Sequence, residues 1–124
     1  MVDFQNKKLF KLSAEKLEKG HKVVSDLLIP GEEVIESYSS VRDRLVFTNK
    51  RIIVINVQGV TGKKKDYTSI PYKKIQTFSI ETSGLLDIDA ELTVYISAIG
   101  MLTFELSGGS KIKALCAAIS EHIL

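Results

Sequence analysis

The chain has 124 residues, of which 44% are hydrophobic and 26% charged, and its formal net charge is +2. Those figures fit one globular domain and exclude disorder, collagen and a coiled coil as whole-chain descriptions. A single cysteine, Cys116, excludes a disulfide scaffold, and no apolar run approaches the roughly 20 residues that span a bilayer.

Ser13 reads as the N-cap of a first helix, with Glu15 and Glu18 near the positive end of its dipole. Ala14, Leu17, Val24 and Leu28 recur at helical spacing, Gly20 is a weak point, and Pro30-Gly31 ends the segment. Phe4, Leu9, Phe10 and Leu12 precede it and suggest a shorter turn of helix packed alongside. Residues 1–30 are therefore expected to form a helical extension, and residues 31–124 the main domain.

The period changes after Gly31. Val34 to Val41 is rich in strand formers and turns at Arg42-Asp43. Leu45 to Thr48 and Arg51 to Val57 are β-branched runs on either side of Asn49-Lys50, a two-residue hairpin connection. Gln58 to Asp66 is a polar loop, and Tyr67 to Ile70 a short strand that Pro71 confines to an edge or an end. Three segments then alternate strictly. Phe78 and Ile80 form the first, Leu92, Val94 and Ile96 the second, and Leu102, Phe104 and Leu106 the third. Alternation of this kind means one buried and one wet face, as in an antiparallel sheet. In the last segment Ile112, Leu115, Cys116, Ile119 and Ile123 share one helical face behind Ser110 as cap. Cys116 is thus expected to be a core thiol. The sum is a mainly β protein with terminal helices: seven antiparallel strands in a partly open barrel or sandwich, closed by the C-terminal helix.

Catalytic and metal chemistry find little support. His21 and His122 sit at opposite ends of the chain, without the convergent ligands that zinc needs. Asp87, Asp89 and Glu91 share one side of an extended segment, but Ala98 stands where a calcium loop needs its glutamate. The run Gly59-Val60-Thr61-Gly62-Lys63 has two residues between its glycines, too few for a phosphate-binding P-loop. It matches the G-x-x-G of a KH domain, but that loop joins helices and this one joins strands. No catalytic residue, cofactor, metal or nucleic-acid partner is expected.

Charge is distributed unevenly. Arg42 to Lys74 holds nine basic and two acidic residues, whereas Ile75 to Gly109 holds five acidic and no basic ones. Such a chain attracts an anionic partner or its own copies head to tail. Arg42 and Arg44 flank a tight turn, and Lys63, Lys64 and Lys65 lie on a glycine-bearing loop. These five are the candidate ligands of an anionic headgroup, arginine as a bidentate fork and lysine as a point charge. The plain alternative is a solvated charged surface. Without a basic-then-apolar leader at Met1 to Lys7, the chain is expected in the cytoplasm, with contact to the inner membrane face as a further option.

The residues also resemble a known family. The strings are Phe47-Thr48-Asn49-Lys50-Arg51-Ile52-Ile53, Tyr67-Thr68-Ser69-Ile70-Pro71-Tyr72-Lys73-Lys74-Ile75 and Phe78-Ser79-Ile80-Glu81-Thr82-Ser83-Gly84, followed by Asp87, Asp89 and Glu91-Leu92. Together they resemble bacterial pleckstrin-homology domains, from about Glu33 to Leu124. The resemblance implies a four-stranded and a three-stranded sheet packed nearly orthogonally and capped by the last helix. It places Arg42 and Arg44, then Lys63 to Lys65, then Ile99-Gly100 at one open end. The chain departs from the lipid-binding pattern, because Val34 to Val41 has no lysine and carries Glu36, and the turn before Arg42 is very short. Those departures argue against specific inositol-phosphate recognition. The resemblance further implies a non-enzymatic module that self-associates into a homo-oligomer, a ring being one form. Binding of anionic phospholipid through the basic end is the alternative, and the protein partner is unspecified.

Overall fold

The computed structural model describes residues 9–59, 61–82, 89–108 and 112–124. Eight strands form one curled sheet: β1 (Leu9–Ala14), β2 (Val34–Ser39), β3 (Asp43–Thr48), β4 (Arg51–Gln58), β5 (Lys64–Pro71), β6 (Thr77–Thr82), β7 (Ala90–Ile96) and β8 (Gly100–Ser107). Their order across the sheet is β5-β4-β3-β2-β1-β8-β7-β6. Every neighbouring pair is antiparallel except β1 and β8, which run parallel over Leu9↔Thr103 to Ser13↔Ser107. Among the described residues the α-helices are α1 (Leu17–Val24) and α2 (Ile112–Ile123).

The hairpin expected at Asn49-Lys50 is present, and the alternating segments pair as antiparallel strands. Leu45↔Val54 and Phe47↔Ile52 fix the β3–β4 register, and Leu92↔Phe104 and Val94↔Leu102 fix that of β7–β8. The segment around Leu9, Phe10 and Leu12 differs from its expectation. It is strand β1, not a turn of helix, and it bridges the two halves of the sheet. The sheet therefore has eight strands where seven were expected. The apolar spacing in this segment fits either period, and a ladder on both sides settles it as strand. Ser13 is consequently a strand residue, its hydroxyl 3.3 Å from that of Ser107. Helix α1 starts instead after Lys16, which makes no side-chain cap. Phe4, Ser83, Gly84, Asp87 and Ser110 lie outside the described residues.

The core has two layers. Inside the curl, Leu45, Phe47, Ile52, Val54, Leu92, Val94, Leu102 and Phe104 meet Leu115 and Ile119 of α2. Tyr72 joins them, and its hydroxyl donates to the Thr48 carbonyl at 2.6 Å. On the outer face Val24 of α1 covers Val46, Ile53 and Ile55. Each such isoleucine or valine withdrawn from water contributes roughly 1.5–3 kcal/mol. Gly20 permits this contact, since a Cβ there would lie 2.6 Å from Ser37 Cβ. The weak point in the helical pattern is thus a close-packing position.

Cys116 is half-buried, and burial pushes its thiol pKa up, away from reactivity.

Candidate functional site

The basic residues were expected to converge, and the structure brings only some of them together. β3 begins and β4 ends at the same rim of the sheet, through Asp43↔Asn56 and Arg44↔Ile55, and β5 begins there through Gln58↔Lys64. Gly59 and Gly62 take positive φ values of 79° and 69°, which lets the β4–β5 connection turn without a Cβ clash. A cleft of about 100 Å³ at this rim is lined by Ser40, Val41, Arg42, Arg44, Val57 and Lys65, among others. Lys63 lies in the exposed turn beside it. Lys64 and Lys65 are consecutive on a strand, so they point to opposite faces and do not act as one pair.

The two arginines are largely occupied. The Arg44 guanidinium holds Glu15 through bonds of 2.7 and 3.2 Å, and Ser37 donates a 2.6 Å bond to the same carboxylate. Burial opposes ionisation of Glu15, but these hydrogen bonds and the arginine charge outweigh it and hold its pKa below the usual value. Arg42 donates to the carbonyls of Gly59 at 3.2 Å and Val57 at 3.5 Å, closing the end of β4. Both arginines therefore help to hold the rim together, and Arg42 stays exposed alongside Lys63, Lys64 and Lys65. Glu15 was expected only at a helix dipole. It lies 29 positions from Arg44, so no local pattern announces the pairing.

Val41 was also not singled out by its sequence. It stands at the β2–β3 turn with its side chain fully exposed. Ile99-Gly100 lies on the same side of the sheet as Arg42. β8 runs parallel to β1, and β1 runs antiparallel to β2, so β8 begins on the side where β2 ends. The β7–β8 turn is staggered further along that side than Arg42, and Ile99 packs on the core.

A second site emerges from the acidic half. Glu81, Glu91 and Glu105 are direct cross-strand neighbours on β6, β7 and β8. With Asp89 they line a cleft of about 140 Å³. Lys11 on β1 is the next neighbour in the row, opposite Glu105. The sequence shows each glutamate on a wet face, but only the register makes them adjacent. No group of His, Cys, Asp or Glu among the described residues is arranged to hold a metal ion. His21 is exposed beside a cleft of about 400 Å³ formed by Leu17, Glu18, Glu32, Glu33 and Val34. His122 faces Tyr72, with ring centroids 5.5 Å apart, and its Nδ1 lies 2.8 Å from the Ala118 carbonyl. No helix among the described residues is long and apolar enough to cross a membrane.

At the opposite rim, beside the β3–β4 turn, Glu32 anchors the chain entering β2. Its carboxylate accepts bonds from Arg51 at 2.9 Å, Thr48 at 2.7 Å and the Ile29 backbone at 3.1 Å. Burial opposes its ionisation, and the bonds from Arg51 and Thr48 overcome that and lower its pKa.

Comparison with known proteins agrees with this architecture. The uncharacterized Bacillus subtilis (strain 168) proteins YjqA and YozO are 49% identical over 74 residues and 32% identical over 104 residues. The YjqA match covers 60% of this chain and 59% of YjqA, and the YozO match 82% and 88%. A DUF1696 family protein with a pleckstrin-homology domain from Shewanella loihica PV-4 is 37% identical, with a TM-score of 0.73 over 93% of this chain and 99% of its own. A pleckstrin homology domain from Shewanella amazonensis SB2B is 43% identical, with a TM-score of 0.59 over 89% of this chain and 90% of its own. A PH domain containing protein from Exiguobacterium sibiricum 255-15 is 21% identical and shares the fold, with a TM-score of 0.62 over 89% of this chain and 60% of its own. The family described as "Bacterial PH domain" matches residues 3–123. With a curled sheet closed by a C-terminal helix, and with nearly the whole chain matched, this protein belongs to the bacterial PH domain family.

Proposed function

We propose that the protein is a non-enzymatic binding and scaffold module that self-associates into a homo-oligomer. The observation behind this reading is the separation of charge across one sheet. Exposed Lys63, Lys64 and Lys65 stand on the β4–β5 side, and Glu81, Glu91 and Glu105 stand in a row on the β6–β8 side. A basic edge and an acidic face on different surfaces make a heterologous contact, which repeats from copy to copy and closes into a ring when the rotation permits. The test is sedimentation velocity of the wild type and of a Lys63→Glu, Lys64→Glu, Lys65→Glu variant at low salt. The expected result is a discrete multimer that the variant loses. A wild-type monomer at micromolar concentration overturns the reading.

Exposed Val41 favours a second reading, peripheral binding of anionic phospholipid at the basic rim. An apolar tip beside cations suits a charged bilayer surface, where each lysine contributes about 1 kcal/mol. Co-sedimentation with phosphatidylglycerol or cardiolipin vesicles at low salt tests it. Binding that survives Lys63→Ala, Lys64→Ala and Lys65→Ala together, or no binding at all, rejects it.

A further inference from the structure

The sheet ends in two edges, β5 and β6, and they are guarded differently. β5 carries Lys64 and Lys65 at one end and Pro71 at the other, devices that keep an edge from pairing with foreign strands. β6 reads Thr-Phe-Ser-Ile-Glu-Thr, without proline, glycine, lysine or arginine. Its register with β7 is unbroken from Thr77↔Tyr95 to Thr82↔Ala90, so no bulge twists it away. Among the described residues its other side pairs with nothing.

A strand laid along β6 meets two distinct chemistries. Phe78 and Ile80 point inward and are half-buried against the core. Thr77, Ser79 and Glu81 point outward and are exposed. Glu81 ends a row of three carboxylates that sit directly opposite one another, an arrangement that destabilises adjacent strands. At the other end of that row Lys11 lies opposite Glu105 and supplies a counter-charge. The β6 end has no such neighbour within the sheet.

We propose that β6 accepts an extended segment of a partner protein by strand addition. In that segment lysine or arginine faces Glu81, and apolar residues at alternate positions face Phe78 and Ile80. Main-chain hydrogen bonds give the affinity and the alternating side chains give the selectivity. A second copy's β5 fits only half of this pattern. Laid antiparallel with Lys65 opposite Glu81, it sets Asp66 against Ile80 and Thr68 against Phe78, polar groups against apolar ones. The proposal therefore reaches beyond self-association and does not depend on it.

The test uses the full chain and a fluorescent peptide, acetyl-Lys-Val-Lys-Val-Lys-Val-Lys-amide, followed by anisotropy and by amide chemical shifts. Controls replace every lysine with glutamate, or the central valine with proline. The expected result is saturable binding with shifts on β6, at least about tenfold tighter than either control, and weakened about tenfold by Glu81→Lys. Ser79→Lys, which places a guarding charge on the edge without touching the acidic row, is expected to weaken it as well. Equal binding of the glutamate peptide, no effect of either variant, shifts confined to β5, or no binding overturns the proposal. A monomer that binds the peptide supports this proposal and sinks self-association, whereas a multimer that ignores the peptide does the reverse.

Discussion

Strands β4 and β7 belong to one sheet, yet they are buried differently. In β4, Ile52, Ile53, Val54 and Ile55 are all buried, while in β7 buried Ala90, Leu92, Val94 and Ile96 alternate with exposed Glu91 and Tyr95. The cause is the placement of α1. It covers the outer face of β2, β3 and β4, so β3 and β4 are apolar on both sides, and it leaves the outer face of β6–β8 to solvent. The covered half is built for stability, and the open half has a face and an edge available for contact. An unbroken apolar run and an alternating one thus report how many layers lie over a strand.

Several substitutions probe this difference. Ile53→Ala empties a site shut between α1 and the sheet and is expected to cost about 2–5 kcal/mol in urea unfolding. Ser79→Ala on the open face is expected to change stability by less than about 0.5 kcal/mol. Equal costs at the two sites contradict the contrast. Next in size is Glu32→Gln, which removes the charge that Arg51 and Thr48 bind, at an expected cost of about 2–3 kcal/mol.

Acid sharpens the same contrast, because Glu15 and Glu32, whose pKa values are lowered, both anchor the covered half. A carboxyl that titrates lower folded than unfolded contributes its full stabilisation above the unfolded value, 4.5 here, and loses it as pH falls toward the folded value. Urea midpoints are therefore expected to hold between about pH 7 and pH 5.5 and to drop below about pH 4.5, with a smaller drop in Glu32→Gln. The smallest effect has the opposite sign. Glu91→Gln removes the central carboxylate of the acidic row and is expected to stabilise the chain by about 0.2–1 kcal/mol. A destabilised Glu91→Gln shows that the row is satisfied within the fold.

Much of this architecture is legible in the residues. Alternation located β7 and β8, β-branched runs located β3 and β4, and one apolar face located α2, because each of those patterns is set by local burial. β1 was not legible. Leu9, Phe10 and Leu12 have no period that separates strand from helix, and its partners, Ser39 on one side and Thr103 to Ser107 on the other, lie far along the chain. The candidate site divides in the same way. Arg42, Arg44 and Lys65 do reach one cleft, as a turn and a loop at one rim require. That Arg44 is held by Glu15, and that Glu81, Glu91 and Glu105 form a row, depends on pairings distant in sequence, which no local window contains.

The proposed self-association rests on the two halves carrying opposite charge on separate surfaces. Light scattering at low and at high salt measures this most directly. The account predicts a discrete multimer at low salt that dissociates as salt screens the contacts. A monomer at both salts contradicts it.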